Sequence, residues 1–90
     1  MASQITADSL EAKIKERIRD CEYVKVVDLS EGSCGLKFEI TVVSPQFMGL
    51  SIIAQHRIIH KALEEERPQI HALILKTKTP DSWKSENESP

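Results

Sequence analysis

Residues 36–42, Leu-Lys-Phe-Glu-Ile-Thr-Val, alternate apolar and polar side chains with a period of two. Such a run makes a strand with one face in a core and the other in water. The segment after this strand limits the fold most. Pro45 cannot continue a ladder. Ser51 can cap a helix that runs to about Glu66 and is stopped by Pro68. "IHALILKT", residues 70–77, then reads as a second strand. Strand, helix, strand in that order is a crossover, and a crossover joins parallel strands with a right-handed connection. Parallel strands begin at the same edge of a sheet. If these two are neighbours, the residues just before Leu36 and those at the start of 70–77 converge there. The apolar residues of 70–77 occupy both faces, which suits a strand covered on both sides.

The first third of the chain supplies a helix and one more strand. The hydroxyl of Thr6 can accept from a free N–H of a first helical turn, and Ile5 and Leu10 have hydrophobic-staple spacing. Ala7, Leu10, Ile14, Ile18 and Cys21 recur every three or four residues, which predicts a helix from about Ala7 to Asp20. "YVKVVDL", residues 23–29, is β-branched and short, a strand that pairs antiparallel with 36–42 across the turn-rich "SEGSCG". At the other end, Thr79-Pro80 has the form of an N-cap and a first helical residue. It predicts a short last helix carrying Trp83 back as a lid on the core. The order is α-β-β-α-β-α in a single domain over 1–90, with a three-stranded mixed sheet, helices packed on it, and fraying expected at 1–5 and 85–90.

Bulk properties close off several functions. Ninety residues make one domain. A formal charge of −2 argues against gripping nucleic acid through bulk positive charge. No apolar run approaches the ~20 residues of a membrane helix, and "MASQITADSLEAK" lacks the basic and apolar regions of a leader. A cytoplasmic and nuclear address is the expectation, with no membrane partner. Two cysteines, Cys21 and Cys34, do not make a disulfide framework there. No Ser/His/Asp arrangement, paired-carboxylate motif or phosphate-cradling loop is recognisable, and although a lone Cys and His could pair as nucleophile and base, ninety residues leave little room for a substrate cleft, so an enzyme is not expected.

The chemistry-bearing residues that topology brings together are Cys34, before the second strand, and His71, at the start of the third. Cysteine and histidine are ligands for zinc, copper or an iron–sulfur cluster. Two ligands do not close a tetrahedral site, so a metal here implies donors from another molecule. The alternatives are a small loop residue and an edge histidine bonded to a carbonyl. His56, in the predicted apolar face of the long helix with Ile52, Ile59 and Leu63, reads as a core histidine, and His60 as a boundary residue. Cys21 reads as a small buried hydrophobe, and Glu64–Arg67 as a solvated helix end. Gly32-x-x-Gly35 has the spacing of the backbone clamp of KH domains, but that clamp joins helices and this one joins strands. Arg57, Lys61, Lys76 and Lys78 leave a nucleic-acid-binding regulator as the alternative reading.

Phe47-Met48-Gly49 as an F-x-G element, His56-Arg57 on the helix, "IHAL" at 70–73, and Thr77-Lys78-Thr79-Pro80 leading to Trp83 occur in an order that resembles the BolA family. The likeness is strong from about residue 34 to 83. It implies a class II KH-like fold without the nucleic-acid clamp, and partnership with a monothiol, CGFS-type glutaredoxin. It further implies that His71 and Cys34 ligate iron in a [2Fe–2S] cluster shared with that partner. The partner's cysteine and a glutathione thiol would complete the set. The family's role in iron homeostasis implies a cluster-receiving regulator as a further partner. The links of some relatives to transcription would place a helix-turn-helix-like region at 51–75.

Overall fold

The computed structural model describes residues 5–18, 20–32 and 35–88. The elements are α1 (Ala7–Arg17), β1 (Tyr23–Asp28), β2 (Leu36–Val43), α2 (Ile52–Ala62), β3 (Ile70–Lys78) and α3 (Pro80–Glu88). Short 3-10 turns, Pro45–Phe47 and Arg67–Gln69, flank α2. This is the α-β-β-α-β-α order expected from the sequence. β1 pairs antiparallel with β2, and β2 pairs parallel with β3, so β2 is the central strand of a mixed sheet.

Local chemistry sets the helix starts. Thr6 Oγ1 accepts from Ser9 N–H while Ser9 Oγ accepts from Thr6 N–H, a reciprocal cap. Ser51 Oγ accepts from Ala54 N–H at the start of α2. α1 ends at Arg17 rather than Asp20, because Ile18 is already extended at φ −107° and ψ 123°. α2 ends at Ala62 rather than Glu66, and the chain turns twice before β3.

One face of the sheet carries Phe38, Ile40 and Val42 against Leu10 and Ile14 of α1 and Ile59 of α2, with Leu63 beside them. Ile5, expected at a frayed end, is buried in this core, and α3 continues through Glu88. Residues 1–4, 89 and 90, also expected to fray, lie outside the described residues.

Three expectations about faces are corrected. The buried stripe of α2 is Gln55, Ile59 and Leu63, while Ile52 stands 59 % exposed and His56 half-buried. The stripe is rotated from the expected one because Gln55, which a count of apolar residues does not include, is buried by its hydrogen bonds to Leu50 and Thr77. β3 is an edge strand, not a covered one. A bulge gathers most of its apolar residues onto the core face: Leu36 pairs with Ile70 but Lys37 pairs with Ala72, so His71 is an extra residue in β3. The extra residue resets the alternation, and Ile70, Leu73 and Leu75 all pack on the core while Ile74 faces out. Finally, Trp83 does not cover the core. It stacks on Tyr23 with ring centroids 4.6 Å apart. Val24 is in the core, so Tyr23 points to the opposite face of the sheet.

Candidate functional site: the His71 edge

The parallel pairing of β2 and β3 brings their first residues to one edge, with Leu36 opposite Ile70. Gly35 shows how close the approach is. A Cβ built on it would lie 2.9 Å from His71 Cβ, 3.4 Å from Cγ and 3.9 Å from Nδ1. Its φ of +118° is also one that side-chain-bearing residues rarely adopt. Glycine at 35 therefore does two things: it turns the chain into β2, and it lets the loop come close to the base of the His71 side chain. Cys34, the preceding residue and the second expected ligand, lies outside the described residues.

The described legs of this loop are anchored. Asp28 Oδ1 accepts from Ser30 N–H at 2.8 Å, and Ser30 Oγ accepts from Lys37 N–H at 2.9 Å. Leu29 N–H donates to Lys37 O at 2.8 Å, carrying the ladder past β1. The Ser30 side-chain and backbone bonds hold the Asp28 carboxyl below its ordinary range.

His71 is exposed and borders a groove of about 470 Å³ with His60, Glu64, Arg67 and Pro68. Burial lowers the pKa of His60, and the nearby Arg67 and His56 lower it further. Beneath the groove, the charge run expected to be solvated is partly structural. Glu66 is only 4 % exposed. Its carboxylate accepts from Lys13 Nζ at 2.5 Å and Arg17 Nη1 at 3.0 Å, and Arg17 also donates to the Ala62 carbonyl. Burial by itself would raise the Glu66 carboxyl; the two cations outweigh it and hold the group below its ordinary value. α1 is thus clasped to the turn that delivers His71. Lys13 and Arg17, four apart on one helix face, were a legible signal; a partner some fifty residues away was not.

A second residue missed in the sequence is Gln55. Its Nε2 donates to Leu50 O at 2.9 Å, and its Oε1 accepts from Thr77 Oγ1 at 2.6 Å. It ties the F-x-G turn to the end of β3. Cys21, expected as a buried hydrophobe, is half-buried against the core; burial raises its thiol pKa, partly offset by donation to Tyr23 O. Among the described residues no three His, Cys, Asp or Glu side chains are grouped to hold a metal. The basic residues do not make one surface. Arg57 and Lys61 lie on the outside of α2, whereas Lys76 is on the far side of the sheet, 3.3 Å from Glu39. No described helix is long and apolar enough to cross a membrane.

A mixed three-stranded sheet, helices capped by side-chain hydroxyls, and an exposed histidine on a bulge define a small α-β-β-α-β-α module. The chain belongs to the BolA-like family, whose model matches residues 4–82. It is 42 % identical over 81 residues to Protein BOLA2 of Arabidopsis thaliana, covering 89 % of this chain and 85 % of that one. It is 36 % identical to BolA-like protein 2 of Homo sapiens, covering 94 % and 98 %. The fold is similar to the crystal structure of a Bol-like protein from Babesia bovis, with a TM-score of 0.85 and 32 % identity over 98 % of this chain and all of that one. It is also similar to the solution structure of yeast Fra2, with a TM-score of 0.72 and 37 % identity over 88 % and 84 % of the two chains.

Proposed function

We infer that this chain is a non-enzymatic adaptor that shares a [2Fe–2S] cluster with a monothiol glutaredoxin, in cluster trafficking or iron-status signalling. The observation that carries the reading is the close approach of Gly35 to the exposed His71 side chain, where an added Cβ would lie 2.9 Å from His71 Cβ. It sets an accessible nitrogen donor beside the residue that follows Cys34 in the chain. That donor set, imidazole and thiolate, suits iron–sulfur ligation. It is also short by two, which favours a site completed by a second protein. His71 and Cys34 would hold the cluster from this side, with the partner's cysteine and a glutathione thiol from the other. When bound, the cluster supplies the iron and sulfide to be passed on or sensed.

What this chain contributes is position. The bulge frees His71 from the alternation of β3, Gly35 leaves room beside it, and the Glu66 clasp fixes the turn before it. The test is to co-purify the chain with a monothiol glutaredoxin and record absorption and circular dichroism. A mixed Cys/His set should give spectra distinct from those of a glutaredoxin homodimer. His71→Ala should abolish that distinct signature, and an unchanged spectrum refutes the assignment. Cys34→Ala should alter the cluster less, because a ligand on a loop is easier to replace.

A further inference from the structure

Far from His71 the surface has a feature that the cluster reading leaves unused. Met48, Leu50, Ile52 and Ile53 are 58 %, 39 %, 59 % and 67 % exposed, all within six residues of sequence. Four exposed large apolar side chains this close in sequence exceed the single scattered ones that need no explanation. Gln55 and Thr77 fix this segment beside the end of β3, and Ser44 N–H donates to Lys78 O at 3.1 Å. Six residues of strand, about 20 Å at ~3.3 Å per residue, therefore separate it from His71.

The patch continues into a row of charge. Ile53, Arg57 and Lys61 are all exposed and spaced by four along α2. They lie about 6 Å and 12 Å apart along the axis at ~1.5 Å per residue. Between Glu39 and Glu64 the chain has no carboxylate at all, although it has 14 acidic residues against 12 basic ones. Among the described residues, neither Arg57 nor Lys61 is in an ion pair.

We propose that residues 48–61 are a docking surface for an acidic amphipathic segment of a second protein partner. Its apolar side chains would cover Met48, Leu50, Ile52 and Ile53, and its carboxylates would meet Arg57 and Lys61. Charge complementarity selects this occupant over two others. A second copy placed by a two-fold axis along α2 would set one cationic row against the other. A flat anionic bilayer would meet exposed Glu64 one turn beyond Lys61, whereas a short segment can end before it. The apolar part of this surface lies at the end of the molecule away from His71, and only its Lys61 end approaches the His71 groove through His60.

The test pans a phage-displayed library of random 16-residue peptides against the immobilised full chain. Ile52→Asp/Ile53→Asp serves as the counter-target; both sites are exposed and at a helix N-terminus, where aspartate is favoured, and its fold is checked by circular dichroism. Enriched peptides should combine apolar anchors with carboxylates. They should bind the double variant about tenfold or more weakly and Arg57→Glu/Lys61→Glu a few-fold more weakly. They should shift backbone NMR signals most strongly at 48–57. No enrichment, peptides without an acidic bias, or equal binding to the double variant overturns the proposal. So does a dimer in light scattering that Ile53→Asp abolishes, which assigns the face to a second copy. Sedimentation with phosphatidylserine vesicles that the double variant loses overturns it too, and assigns the face to a membrane. None of these readouts involves a cluster, so the outcome is independent of the iron–sulfur reading.

Discussion

Gly35→Ala tests the geometry of the His71 edge directly. The new methyl would sit 2.9 Å from His71 Cβ, whereas carbon atoms in contact settle at about 3.5–4.0 Å. Either the imidazole or the loop must therefore move by about 0.6–1 Å. The φ of +118° adds backbone strain of about 1–3 kcal/mol for any residue with a Cβ. The reduced freedom of the unfolded chain returns about 0.4–1 kcal/mol of that. The net loss should be about 1–3 kcal/mol, a fall in Tm on the order of 10 °C for a domain of this size. Gly32→Ala is the control, since Gly32 also has a positive φ, +79°, but nothing lies within 4 Å of its added Cβ. It should carry the strain alone. Urea denaturation gives the energies, and the imidazole Cε1–H resonances give the positions. In Gly35→Ala the His71 signal should move while those of His56 and His60 stay; in Gly32→Ala none should move. If Gly35→Ala costs less than about 0.5 kcal/mol and leaves the His71 resonance in place, the loop does not run against the imidazole and the reasoning fails.

Glu66→Gln should cost about 1–3 kcal/mol in chemical denaturation, less than a fully buried ion pair because both cations are about one-third exposed. Its carboxyl is held below the ordinary 4.5 in the fold, so the clasp is at full strength above that value and is lost as pH falls through it and then through the folded pKa; Glu66→Gln should flatten that acid limb. Gln55→Leu should cost about 1–3 kcal/mol, because it strips the Leu50 carbonyl of a donor and Thr77 of its acceptor; a double-mutant cycle with Thr77→Val should show coupling in urea melts. Deleting His71 should leave a folded protein with regular β2–β3 pairing, since Leu36–Ile70 and Lys37–Ala72 would become consecutive; circular dichroism and amide exchange should show the sheet kept, whereas deleting Ile74 should unfold it. The raised thiol pKa of Cys21 should make it alkylate more slowly at pH 7.5 than a free cysteine, measured by mass spectrometry in a Cys34→Ser variant.

Periodicity carried the fold a long way. The alternation at 36–42 and the crossover after it were enough to place β2 beside a parallel β3, and the hydroxyl caps at Thr6 and Ser51 were legible because capping is local chemistry. The errors came where one residue broke a pattern for reasons remote in sequence. The bulge at His71 cannot be seen in "IHALILKT", because only the register against Leu36 and Lys37 reveals the extra residue. The face of α2 was misjudged because Gln55 is buried by carbonyls of the preceding turn and a hydroxyl of β3, partners no helical period encodes. Glu66 was read as solvated because its cations sit on α1. For the candidate site, the position of His71 at an edge followed from topology, but the close approach at Gly35 did not.

The bulge and the glycine together explain how such a small sheet can hold a donor in the open. A residue in regular β3 faces either the core or the far side of the sheet, and its neighbours fix which. An extra residue is released from that choice, since the pairing on both sides of it closes without it. Its side chain is then oriented by what stands next to it, and at this edge that neighbour is a residue with no side chain. The same logic separates this end of the molecule from the other. Around His71 the backbone is specialised and the turn below is clasped by Glu66, so small changes there should alter a ligand's position. Around Met48 and Ile53 the chain leaves a 3-10 turn through Gly49 at φ +78° and enters α2, and the exposed side chains stand outside the core, so changes to them should alter only what they touch. Substitutions at the two ends, about 20 Å apart by strand length, should therefore add in their effects on stability, because they share no contact.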